Sequence, residues 1–113
     1  MVARSSHHAI PPGTLEMLVL TTLARRNELH GFEIAEAIEQ ASTDVLRVEE
    51  GSLYPALQRM LVKGWIVGEW DRTDQNRRAR YYRLTRTGRR EFERQVDAYQ
   101  LVTGAIARVL QMA

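Results

Sequence analysis

Apolar residues recur at helical spacing in four stretches of the chain, and two short runs between the third and fourth stretches have the character of strands. Leu15, Met17, Leu18, Val19, Leu20, Leu23 and Ala24 predict a first helix, capped by Thr14 and running to about Arg26. So few polar positions remain on it that more than one side must be covered. After a polar break closed by Gly31, a second helix is predicted from about Phe32 to Ser42. Phe32, Ile34, Ala35 and Ile38 face inward, and Glu33, Glu36, Glu39 and Gln40 face water. In the third, Leu53, Leu57, Met60 and Leu61 share one face, Ser52 is the N-cap, and Gly64 is the stop. Pro55 then falls at the third helical position, where a backbone N–H has no intrahelical partner to lose. Ser52, Tyr54, Pro55, Gln58, Arg59 and Lys63 are left on or near the opposite face.

Trp65 to about Arg72 and Arg80 to Thr85 are rich in Trp, Tyr, Ile and Val, and predict two strands joined by the turn-forming "TDQNRRA". Tyr82 and Leu84 share the core side of the second strand, Tyr81 and Arg83 the other. Trp65 and Trp70 are read as core or hairpin anchors. Thr85 caps a last helix from about Arg86 towards Gln111, roughly 39 Å long at 1.5 Å per residue. Along it Phe92, Val96, Tyr99, Thr103, Ile106 and Leu110 form a heptad seam, widened by Ala98, Leu101, Val102, Ala105 and Val109. A seam that long exceeds what a three-helix core covers, and it predicts a homodimer. Leu15 and Leu18 of the first helix supply further apolar surface beside Phe92, Val96, Tyr99, Ile106 and Leu110.

The predicted fold is mainly α with a small β-hairpin: a winged helix-turn-helix of three helices and a two-stranded wing, followed by a long dimerisation helix. Residues 1 to 13 form a flexible N-terminal arm, 14 to 85 the winged-helix domain and 86 to 113 the C-terminal helix. A length of 113 residues suits one small domain, and the absence of cysteine excludes disulfides and thiolate zinc sites. No run approaches the roughly 20 apolar residues needed to span a bilayer, so the expectation is a cytoplasmic protein with no membrane partner. His7 and His8 are ordinary tail residues without further metal ligands, and no metal or cofactor is expected.

Charge adds the functional direction. The formal net charge of +2 divides into −4 over residues 1 to 50 and +6 over residues 51 to 113. Between Arg72 and Arg90 eight arginines accompany a single acid, Asp74. The planar arginine fork suits phosphates and guanine edges, whereas the acidic second helix repels phosphate; a merely solvated charged face is the bland alternative. In a winged helix the third helix enters the major groove of double-stranded DNA and the hairpin reaches an adjacent groove or backbone. Ser52, Gln58 and Arg59 have the donors and acceptors to read base edges. Arg72, Asn76, Arg77, Arg78 and Arg80 hold the wing to the duplex. Glu49 and Glu50 either favour the helix dipole or pair with an arginine.

Four motifs in this order, "HGFEI" at 30–34, "GSLYPAL" at 51–57, "KGWI" at 63–66 and "YYRLTRTG" at 81–88, resemble the PadR-type transcriptional regulators from Thr14 onwards. The resemblance implies a homodimeric winged-helix repressor with the DNA-contacting role on Ser52, Tyr54, Pro55 and the nearby Gln58 and Arg59. It also implies a single dimerisation helix after the wing. Multidrug-sensing relatives carry a stacking tryptophan on that helix, and here no tryptophan follows Trp70. A small apolar effector at the dimer interface, a partner protein or no effector at all suits the same seam. Catalysis is set aside, because the nearest pair, His30 and Glu33, belongs to a turn and lacks a nucleophile. A non-catalytic winged-helix adaptor for protein contact is the alternative, and structured RNA a further one; the wing arginines favour DNA over the first, and the lack of a stacking platform disfavours the second.

Overall fold

A computed structural model describes residues 7–112. In chain order its elements are β1 (His8–Ala9), α1 (Leu15–Arg26), β2 (Glu28–His30), α2 (Gly31–Ala41), β3 (Leu46–Arg47), α3 (Glu50–Val62), β4 (Ile66–Arg72), β5 (Arg78–Leu84) and α4 (Arg86–Met112). The core is a single cluster in which Val19, Leu20 and Leu23 of α1 meet Ile34 and Ile38 of α2, and Leu53, Leu57 and Met60 of α3. Ile66 and Tyr82 close it from the sheet. Burying each of the larger side chains contributes about 1.5–3 kcal/mol relative to leaving it in water. The apolar spacing of α3 is therefore what seats that helix.

The predicted hairpin is present, with β4 and β5 antiparallel from Ile66↔Leu84 to Arg72↔Arg78. Its second strand begins at Arg78 rather than Arg80, and a third strand joins it. β2 pairs antiparallel with β5 through Leu29↔Tyr82, giving the order β2-β5-β4. Three residues are too short for an alternation to show in sequence, and this pairing depends on the tertiary position of β5.

Other expectations are corrected. The arm is not free through residue 13: β1 pairs in parallel with β3, and the His8 N–H donates to the Val45 carbonyl at 2.7 Å. Residues 1–6 of that arm lie outside the described residues. Phe32 is 66% exposed instead of inward-facing, because at 100° per residue it stands well over 90° round the helix from the buried Ile34 and Ile38. Thr14 holds the N-cap position of α1, but its hydroxyl donates to the Pro11 carbonyl and accepts no backbone N–H. Ser52 is not a cap. α3 begins at Glu50 after Glu49, whose carbonyl accepts from both Ser52 and Leu53 N–H. Pro55 is thus the sixth helical residue, and the carbonyl of Gly51, four residues earlier, loses its intrahelical donor. Gly51 is exposed, so water can satisfy that carbonyl.

The end of α3 agrees with the pattern. Gly64 adopts φ +76°, and the Trp65 N–H reaches back to the Met60 carbonyl at 3.0 Å. α4 spans 27 residues, and among them only Gly88 is buried. Its free half explains a radius of gyration of 15.5 Å, against about 13 Å for a compact chain of this length.

Candidate nucleic-acid interface

α3 has a buried strip and, opposite it, an exposed strip with two flanks. The buried strip is Leu53, Ala56, Leu57 and Met60. At 100° per residue the opposite strip is Gly51, Pro55, Gln58 and Val62, all exposed. Of the predicted reading residues, Pro55 and Gln58 lie at the centre of this strip. Ser52 and Arg59 lie on its α1 flank and Tyr54 on its α2 flank. Val62, 85% exposed, is an apolar position that the pattern placed on no face. Tyr54 packs over the start of α2 so closely that a Cβ on Gly31 would fall 2.6 Å from its phenolic oxygen. That contact explains the glycine of "HGFEI".

His30 caps α2 in a reciprocal box. Its Nδ1 accepts from the Glu33 N–H at 3.3 Å, and its own N–H donates to Glu33 Oε1 at 3.1 Å. The His30 ring also meets Tyr81 edge to face at 5.2 Å. Partial burial, and then the nearby Glu33 carboxylate, push the Tyr81 phenol above its ordinary pKa. His30 and Glu33 are therefore occupied as helix-capping groups. This ties the N-terminus of α2 to the sheet beside α3.

The wing has two unlike faces. Its register places Ile66, Gly68, Trp70 and Arg72 opposite Leu84, Tyr82, Arg80 and Arg78 on one side, and Val67, Glu69 and Asp71 opposite Arg83, Tyr81 and Ala79 on the other. As expected, Tyr82 and Leu84 are on the core side. The same side continues beyond the core as an arginine face. Arg78 lies over the Trp70 ring at 4.5 Å, and Arg80 lies 6.0 Å from the rings of both Trp70 and Tyr82. Stacking of this kind contributes about 0.5–2 kcal/mol per pair, offsetting a buried Arg80 Nε that has no hydrogen-bond partner. A Cβ on Gly68 would stand 2.7 Å from that Nε, so the glycine makes room for Arg80.

At the tip, Thr73 Oγ1 accepts from the N–H groups of Gln75 and Arg77, and Asn76 takes φ +62°. Arg72 Nη1 donates to the Asn76 carbonyl, so Arg72 and Asn76 brace the turn. Arg77, Arg78 and Arg80 supply the charge of the tip and the stacked face. Sequence reasoning missed Gly68, for which alternation gives no signal, and Glu16. The Glu16 carboxylate accepts from Arg59 Nε at 3.0 Å and lies 3.8 Å from Lys63 Nζ. Among the described residues no group of histidines and carboxylates is placed to hold a metal ion, and no helix is long and apolar enough to cross a membrane.

The model of the transcriptional regulator PadR-like family matches residues 19–94, two thirds of the chain. The chain belongs to that family. Its members are transcriptional regulators, not enzymes. Among solved structures it is similar to a PadR family transcriptional regulator from Eggerthella lenta, at 26% identity and a TM-score of 0.74 over 89% of this chain and 85% of that one. It is also similar to a PadR-like transcriptional regulator from Bacillus cereus, at 26% identity and a TM-score of 0.74 over 88% and 93%. Bacillus subtilis PadR, solved in complex with operator DNA, shares the fold at 22% identity and a TM-score of 0.65, over 74% of this chain and 46% of that one. No functionally curated protein matches.

Proposed function

We propose that this PadR-like regulator is a sequence-specific DNA-binding repressor that works as a homodimer on a near-palindromic operator. One observation carries the reading: the wing arginines continue the same sheet face whose inner half, Ile66, Tyr82 and Leu84, packs against the core that seats α3. A helix with an exposed strip centred on Gln58 and flanked by Ser52, Tyr54 and Arg59, and a pre-stacked cationic face, are thereby held in one unit, suited to a groove and its flanking phosphates. In this reading Ser52, Tyr54, Pro55, Gln58, Arg59 and Lys63 meet the major groove and its edges. Arg77, Arg78 and Arg80 meet backbone or an adjacent groove, with Arg72 and Asn76 shaping the tip. The operator complex of the B. subtilis protein supports it as a relative of the same fold.

The homodimer is supported by α4. Tyr99, Val102, Ile106, Val109 and Leu110 are exposed over its outer half, an apolar run that a soluble monomer rarely leaves in water. Phe92 and Val96 are partly buried and begin the same surface at the domain, whereas Leu15 and Leu18 of α1 pack against the core, Leu15 beside Ile10 and Val48 and Leu18 beside Ile38 and Leu46. A small apolar effector, where one acts, has its place between two such helices.

Selection of bound duplexes from a random pool, at stated salt, tests the reading. The expected product is a palindrome with half-sites about one helical turn, roughly 10 base pairs, or a multiple apart. A pool without enrichment refutes sequence-specific binding and favours a protein-contact adaptor.

A further inference from the structure

We infer that Glu16 is a positioning residue of the reading head, holding Arg59 by its Nε edge so that the terminal nitrogens form a fixed fork for one guanine. The inference rests on the proposed DNA reading and adds to it a buttress outside α3. Glu16 stands in the first turn of α1, and its side chain is 19% exposed against 55% for Arg59. The carboxylate is the enclosed partner, on a helix that buries Met17, Val19, Leu20 and Leu23, and the arginine is the free one. Constraint therefore runs from Glu16 to Arg59.

The chemistry of the contact decides what the constraint is for. A guanidinium has five N–H groups, and only Nε–H is used on Glu16. Among the described residues the terminal nitrogens of Arg59 make no hydrogen bond, which leaves an edge of two parallel donors. That edge fits O6 and N7 of guanine. An untethered arginine on the rim of a reading helix would instead sweep across phosphates, which carry no sequence information. Glu16 also faces Lys63 Nζ at 3.8 Å, so one carboxylate offsets part of the charge of two cations on the same flank of α3. Both effects act in one direction: attraction to any backbone falls, and the directional contact with a base is kept. Glu16 thereby raises discrimination between duplexes, not total affinity.

The test compares binding to the sequence enriched from the random pool with binding to a scrambled duplex, for the full chain and for Glu16→Gln, Arg59→Ala and the double variant. Glu16→Gln should lower the cognate to scrambled ratio about tenfold, within the range of one bidentate base contact. It should also steepen the salt dependence on scrambled duplex by about one phosphate contact. In the Arg59→Ala background, Glu16→Gln should change the ratio by less than about twofold. Arg59→Lys keeps the charge and loses the fork, so its ratio should fall as far as that of Arg59→Ala even if a Glu16 variant folds poorly. An unchanged ratio in Glu16→Gln, the same loss with and without Arg59, or a full ratio in Arg59→Lys overturns the inference. A wild-type chain that enriches no sequence overturns the DNA reading instead.

Discussion

Gly88→Ala puts two opposed effects on one methyl group. Alanine is ordinarily better than glycine in a helix by up to about 1 kcal/mol, and Gly88 is the third residue of α4. Here, however, the new Cβ would lie 1.9 Å from the Trp65 carbonyl oxygen and 2.8 Å from its carbon, both backbone atoms. No rotamer change can relieve that overlap; α4 or the start of β4 must shift. The Trp65 carbonyl already accepts the Thr85 N–H at 3.0 Å, and the Thr85 hydroxyl, which donates to the Gly64 carbonyl at 2.6 Å, accepts the Gly88 N–H at 2.9 Å. Overpacking costs about 1–3 kcal/mol, and strained hydrogen bonds about 1 kcal/mol each. The clash wins, with a net destabilisation of about 2–3 kcal/mol and a fall in melting temperature of about 10 °C. Gly104 on the same helix is the control, since its Cβ would find only Arg108 Nη1 at 3.8 Å; Gly104→Ala should gain about 0.5–1 kcal/mol. Thermal unfolding by circular dichroism at matched protein concentration reads both. A Gly88→Ala variant as stable as the parent would refute the packing of α4 on Trp65.

Further outcomes follow from the same contacts. His30→Ala should lower stability to urea by about 1 kcal/mol through loss of the capping box, and an unaltered midpoint and slope would show that the box contributes nothing. Arg77→Ala with Arg78→Ala should weaken binding on cognate and scrambled duplexes alike and flatten the salt dependence by about two phosphate contacts; an unaltered slope removes these residues from the backbone. Sedimentation at micromolar concentration should give twice the chain mass for the parent and the chain mass for Ile106→Asp with Leu110→Asp, and a monomeric parent defeats the homodimer. The hydrogen bond from Arg94 holds the Glu91 carboxyl below its usual range, and so the pair stabilises the fold above the unfolded-state pKa. That contribution fades as pH falls through the lowered folded value. The stability advantage over Glu91→Gln should therefore shrink as the pH falls below the ordinary glutamate range; a constant difference would mean that the pair adds no pH-dependent stability.

What was legible in the sequence is what local periodicity encodes. The seam from Phe92 to Leu110 appears as α4, and the Trp and Tyr runs around "TDQNRRA" appear as the hairpin, because each repeats a pattern over many residues. Ser52 misled because serine is a good cap and proline suits a first turn. The Glu49 carbonyl instead starts the helix three residues earlier, and an exposed Gly51 tolerates the bond that Pro55 omits. Leu29 and Tyr82, or Glu16 and Arg59, carry no mark of each other in sequence, since only the packed core brings them together. The exposed face of α3 was legible by residue type and spacing. The contacts that brace its flank were not.

The junction around Thr85 gives these parts a common frame. Its hydroxyl donates to the Gly64 carbonyl at 2.6 Å, at the end of α3, and its backbone N–H donates to Trp65 at the start of the wing. The same oxygen caps α4 through Gly88. One residue thus joins α3, the wing and the long apolar helix within a few ångströms, with Gly88 packed against Trp65 in place of a flexible linker. Two copies paired through α4 would then hold their α3 helices at a separation set by this rigid corner. Half-site spacing should accordingly respond to Gly88→Ala more than to lengthening the exposed tip at Gln75. A spacing that follows the tip and ignores Gly88 would place the hinge in the wing rather than at Thr85.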